Sequence, residues 1–105
     1  MIDPNSSSGP TSIRLDRLGL ALNDSARWRI LRELARGKAL PVSELGRRVG
    51  RTVDSVSKHM IVLRKAGLVV SGFGRLYELA PGLQPPPGVM ELDLGYCVLR
   101  LDRLT

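Results

Sequence analysis

Cysteine is nearly absent from this chain: Cys97 is the only one in 105 residues. A lone thiol excludes an intrachain disulfide framework and fits a reducing compartment, the cytoplasm. Histidine also occurs once, at His59. One nitrogen donor without neighbouring thiolates or carboxylates does not fill a tetrahedral shell, so no metal is expected. Aromatic residues make up 4%, so the core is built from Leu, Val, Ile and Ala, and no stacking platform for structured RNA is present. No stretch approaches the roughly 20 apolar residues that span a bilayer. The start, Met1 to Pro10, lacks the apolar segment of a secretory signal. There is no histidine–nucleophile–acid arrangement, no glycine loop leading into Lys-Ser/Thr, and no carboxylate cluster in an apolar setting. Neither catalysis nor a cofactor is expected.

What the chain does have is positive charge. Sixteen Lys and Arg stand against ten Asp and Glu, a net charge of +6, which points to a polyanionic partner. The length suits one domain with a modest core.

Residues 1–11, rich in Ser, Pro and Gly, offer nothing to bury and read as a disordered arm. From Thr11 or Ser12 a helical pattern begins, with Ile13, Leu18 and Leu22 on one face and Leu15 alongside. Asn23-Asp24-Ser25 supplies side-chain acceptors for the first amides of a second helix. In it Ala26, Ile30 and Leu34 recur at fourfold spacing, with Leu31 and Ala35 beside them. Arg27, Arg29, Arg32 and Arg36 are assigned to its surface, and Gly37 to its end. Leu40 is a candidate one-residue arm of a small sheet. Pro41 opens a short third helix with Val42, Leu45 and Val49 inward, which Gly50 stops. Only Arg51 precedes Thr52, the cap of a fourth helix that hides Val56, Met60 and Leu63 and closes at Gly67. Two helices joined by so tight a turn form a helix-turn-helix candidate.

After Gly67 the period turns extended. Leu68-Val69-Val70 and Leu76-Tyr77-Glu78-Leu79 flank Ser71-Gly72-Phe73-Gly74, a hairpin with a glycine-bearing turn. The fold expected is therefore mainly α with a small β-hairpin wing (α+β): a winged helix-turn-helix over 12–80. Residues 81–88, including Pro85-Pro86-Pro87, read as a stiff extended linker. Residues 89–105 form a C-terminal β segment. Within it Met90 to Leu94 alternates, Gly95 marks a bulge or a turn, and Cys97 reads as a small buried hydrophobe.

If the fourth helix buries its aliphatic stripe, Asp54, Ser55, Ser57, Lys58, Ile61 and Lys65 point outward or sideways. Its N-terminal part is what enters a major groove in this architecture. Between Arg47 and Lys65 lie six basic residues and one acid, Asp54, a density that suits phosphate neutralisation. The competing reading is a plain solvated face on which Asp54 and Lys58 pair at i, i+4. The candidate DNA-contacting residues are Arg47, Arg51, Thr52, Asp54, Ser55, Ser57, Lys58, His59 and Arg64, with Arg75 at the hairpin tip.

The run Ser57-Lys58-His59-Met60-Ile61-Val62-Leu63-Arg64-Lys65-Ala66-Gly67-Leu68-Val69 resembles the recognition signature of the ArsR family. Asp24-Ser25-Ala26-Arg27, followed by Ile30 to Ala35 and Gly37, resembles that family's second helix, and Val42-Ser43-Glu44-Leu45 the start of its third. The resemblance spans roughly residues 13–80. It implies a winged-helix repressor that binds a palindromic operator as a homodimer. Two departures matter: Gly46, Arg47 and Arg48 stand where the family's metal-binding cysteines follow the Glu-Leu, and its last, histidine-bearing helix has no counterpart.

The expected function is thus a sequence-specific double-stranded DNA-binding regulator, probing an inverted repeat as a homodimer. The apolar first helix and the Met90 to Leu101 segment would pair across a two-fold axis, spacing the recognition helices by about 34 Å. A Cys97 pair across such a seam would be redox-sensitive. The alternative is a winged-helix protein-interaction module that docks a partner through an acidic tail (Glu91, Asp93, Asp102) and binds no DNA.

Overall fold

The structure, a computed structural model, describes residues 13–103; the expected N-terminal arm lies outside them. Four helices run in order, α1 (Leu15–Ala21), α2 (Ser25–Ala35), α3 (Val42–Val49) and α4 (Val53–Lys65). The hairpin β1 (Val69–Ser71) and β2 (Tyr77–Leu79) follows, then a second hairpin, β3 (Glu91–Asp93) and β4 (Val98–Arg100), and a 3-10 turn at Leu101–Arg103. The architecture is an α+β winged helix-turn-helix.

Each boundary has a local cause. The Asp24 carboxylate accepts from the Ala26 amide at 2.8 Å, and the Thr52 hydroxyl accepts from the Ser55 amide at 3.1 Å, satisfying first-turn donors of α2 and α4. Gly50 ends α3 at φ 71°, where a side chain would be strained. The turn between α3 and α4 closes with the Arg51 amide on the Gly46 carbonyl at 2.9 Å. A Cβ on Gly46 would lie 2.7 Å from the Arg51 carbonyl oxygen, so only glycine permits this approach.

One core joins all of these elements. Ile30, Leu31 and Leu34 of α2, Leu45 of α3, and Val56, Met60 and Leu63 of α4 are fully or almost fully buried. β1 and β2 pair antiparallel with Val69 opposite Leu79. Leu40 adds an isolated bridge to Tyr77, the one-residue arm expected from the sequence.

Four expectations are corrected. First, residues 81–88 are not an extended connector. They form turns, Leu83 is buried, and the Gln84 side chain donates to the Ala35 carbonyl at 2.9 Å, because α2 leaves that C-terminal carbonyl in need of a donor. Second, Cys97 is exposed. The chain reverses at Gly95 (φ 86°), whose amide is held by the Asp93 carboxylate at 2.9 Å, which puts Cys97 beside the turn rather than on the inward row of Leu92, Leu94, Leu99 and Leu101. Third, Arg27 is not a surface residue but is 8% exposed. Fourth, the first helix begins later than its pattern suggests, at Leu15, with Ile13 buried ahead of it. Gly95 marks a turn, and β3 and β4 pair within one chain, Leu92 opposite Leu99.

Candidate nucleic-acid interface

Helix α4 is two-sided. Val56, Met60 and Leu63 are buried, whereas Asp54, Lys58, Ile61 and Lys65 are exposed along the opposite row, as a 3.6-residue period requires. Ser55 and Ser57 flank that row half-buried. Asp54 and Lys58, a possible i, i+4 couple, form no ion pair among the described residues, so both charges face solvent uncommitted. Thr52 and Arg51 are exposed at the head of the helix. Arg64 is exposed at its far end, roughly 16 Å along the axis from Val53 at about 1.5 Å per residue, and so stands apart from the other candidates.

Arg47 is differently placed. Its guanidinium grips Glu44 on the previous turn of α3, with Nε at 2.9 Å from Oε2 and Nη2 on Oε1. Arg48 donates to the same carboxylate at 3.0 Å and reaches Glu33 at 3.5 Å. Hydrogen bonds from two guanidinium groups, Arg47 first and Arg48 second, hold the Glu44 carboxyl down at about 2. The basic density read from sequence is therefore partly neutralised on α3 and concentrated on α4.

The wing tip spans Gly72 to Leu76, closed by the Gly72 amide on the Leu76 carbonyl at 2.7 Å. Gly74 (φ 72°) and Arg75 (φ 61°) both sit in the left-handed region, and a non-glycine residue there costs about 1–2 kcal/mol. Arg75 is exposed, as expected from the sequence, and Phe73 is 100% exposed. Phe73 was not among the sequence candidates. Its signal was available: an aromatic between two glycines, with no apolar partner position in the turn.

The second residue that sequence reasoning missed is Arg27, the main polar tie behind α4. Its Nε donates to the Ala21 carbonyl at 2.8 Å, and its Nη2 to the Leu20 carbonyl at 3.0 Å and to Asn23 Oδ1 at 2.8 Å. Its Nη1 lies 2.9 Å from Nδ1 of His59. Guanidinium has no acceptor, so Nδ1 must accept and the imidazole is neutral with its proton on Nε2. The chemistry around it agrees. Burial first, and the Arg27 and Arg51 charges next, push the His59 pKa down, against the opposing pull of Asp24. Asp24 itself is held below the usual carboxylate range, chiefly by its hydrogen bond from Ala26. His59 thus faces α2 with one nitrogen already in use.

Among the described residues no three His, Cys, Asp or Glu side chains group as a metal site would need, and no described helix is long and apolar enough to cross a membrane.

Fold and surface together define a helix-turn-helix protein with an exposed second helix and an exposed wing. Residues 22–71 match a family described as a helix-turn-helix domain, a module of DNA binding and transcription regulation. That match runs from the end of α1 through β1. No curated protein and no solved structure matches the chain.

Proposed function

We propose that this protein is a sequence-specific double-stranded DNA-binding transcriptional regulator, a repressor that acts as a cytoplasmic homodimer on an inverted-repeat operator, similar to the ArsR family but without its cysteine metal site. The observation that carries this reading is the outward row of α4. Lys58 and Asp54 are exposed and unpaired beside Ile61, which is 45% exposed, while the opposite stripe is sealed in the core. An isoleucine at the centre of this row suits a major-groove face, where an aliphatic side chain contacts the thymine methyl.

In this reading Ser57 and Lys58 meet base edges, Asp54 accepts from a cytosine amine, and Thr52, Ser55 and Arg51 hold phosphates at the helix head. His59 offers its Nε2–H to a phosphate, and Arg64 contacts the backbone beyond the groove. Arg47 joins only by releasing Glu44. Arg75 enters the adjacent minor groove, a use that accounts for an arginine kept at a backbone position suited to glycine. Phe73 beside it serves as an apolar wedge at a base step. The dimer seam rests on α1, where Leu15 and Leu20 are 60% and 57% exposed, an apolar surface a second copy would cover.

Selection of bound sequences from a random duplex pool, with affinity followed against salt, tests the reading. A palindromic consensus and a steep negative salt slope are expected. Lys58→Glu with Arg75→Glu should abolish duplex binding without unfolding the protein. No enriched site and a flat salt dependence would instead favour the protein-interaction module. Sedimentation of the wild type and of Leu15→Glu/Leu20→Glu reads the dimer separately.

A further inference from the structure

A cleft of about 530 Å³ opens between the N-terminal half of α2 and the C-terminal hairpin. This is within the range of small-molecule sites, roughly 300–1,000 Å³. Its walls are of two kinds. Leu22, Trp28, Val98 and Leu99 are apolar, Arg100 and Arg103 supply two guanidinium groups on the hairpin side, and Asn23, Asp24 and Ser25 at the head of α2 complete the lining. Trp28 is fixed in place, its indole N–H donating to the Leu22 carbonyl at 2.8 Å, so the ring presents a preset apolar surface. Arg103 makes no ion pair among the described residues, and Arg100 reaches Glu91 only at 4.0 Å. The one acid in the lining, Asp24, is engaged as the cap of α2 through its bond from Ala26.

We propose that this cleft is a binding site for a small amphipathic anion, a carboxylate carried on an aryl or alkyl body. The body lies against Trp28, Leu22 and Val98, where its apolar surface leaves water. The carboxylate pairs with Arg100 and Arg103, whose planar forks match it in bidentate geometry. A neutral ligand would forgo that pairing, and a cation would meet two positive charges.

The site is also connected to α4. Asn23, in its lining, accepts from Arg27, and Arg27 bonds to His59 on α4. A ligand that shifts Asn23 therefore shifts a bond to the DNA-facing helix. This second statement rests on the DNA-binding reading above; occupancy of the cleft does not.

Trp28 is the only tryptophan in the chain, so its fluorescence reports the cleft directly, with no DNA present. Titration of the full-length protein with 4-phenylbutyrate and with octanoate should give a saturable change in emission. The neutral 4-phenylbutanol should give at least about tenfold weaker binding, which corresponds to about 1.4 kcal/mol. Arg100→Glu/Arg103→Glu should weaken both acids by tenfold or more, and Val98→Phe, which adds bulk without a second tryptophan, should block them by filling the cleft, each with the circular dichroism spectrum of the wild type. No saturable response to either acid, equal response to acid and alcohol, or unchanged affinity in a folded double variant would overturn the proposal. A duplex-binding assay with and without 4-phenylbutyrate then reads the coupling, so loss of DNA binding and loss of anion binding are seen independently.

Discussion

The guanidinium of Arg27 and the imidazole of His59 are joined at 2.9 Å, thirty-two positions apart in the chain. Through that contact one buried cation ties the last carbonyls of α1 and the α1–α2 turn to the middle of α4. Removing either partner strands polar groups out of water, which costs more than the bond itself contributes.

His59→Ala should therefore destabilise the domain by about 1–3 kcal/mol, whereas His59→Asn, which keeps an acceptor near the Nδ1 position, should lose less. The histidine also sets a pH dependence. Its folded pKa lies below the ordinary value of 6.5, so the unfolded chain takes up a proton first. Stability is then full above that value, declines as pH falls through it, and levels off below the lowered folded value. Denaturant midpoints measured between pH 8 and pH 5 should show this decline, and His59→Asn should flatten it. A wild-type midpoint that rises on acidification would contradict the assignment.

Gly46→Ala should destabilise the protein although alanine is the better helix former by about 1 kcal/mol. The added methyl meets a backbone carbonyl oxygen at 2.7 Å, which cannot swing aside as a side-chain end can. A loss of about 1–3 kcal/mol and weaker duplex binding, from the altered angle between α3 and α4, are the expected readings by chemical denaturation and gel shift. An unchanged or raised melting midpoint would show that the turn relaxes freely.

The C-terminal hairpin belongs to the same folding unit as the helices. Leu92→Ala should cost about 2–5 kcal/mol, since Leu92 is fully buried in the shared core, and unfolding should stay a single transition by both far-ultraviolet and Trp28 signals. Two separated transitions would show instead that the hairpin is an independent appendage.

Glu44→Gln should raise duplex affinity and steepen its salt dependence, because it releases Arg47 from its only carboxylate partner among the described residues and leaves Arg48 with Glu33 alone. All three side chains are at the surface, so the thermal midpoint should stay where it is. Gel shifts at two salt concentrations decide this. An affinity equal to the wild type would place Arg47 outside the DNA footprint.

Much of this was legible before any coordinates. The stripes of α2 and α4, the caps at Asp24 and Thr52, the stop at Gly50 and the wing after Gly67 are near-neighbour chemistry, written within a few positions of one another. Arg27 was legible too, had the period been followed strictly: it stands four positions before Leu31 and eight before Ala35, on a row that is otherwise buried. Residue type overruled spacing there, because an arginine is seldom buried without a partner, and the partner was far away in sequence. Arg47 shows a milder limit: i, i+3 spacing allows its grip on Glu44, but spacing alone does not choose between that pairing and an open side chain.

The sequence alone determined which segments are helical, where they stop, and which side of each is apolar, because those properties depend on spacing and on local hydrogen-bond supply. Tertiary structure alone decided that His59 is neutral, that residues 81–88 lie against α2, and that the last hairpin completes the helical core and frames a cleft with Trp28. Each of these depends on groups brought together by folding, and desolvation and charge act through distance in space rather than position along the chain.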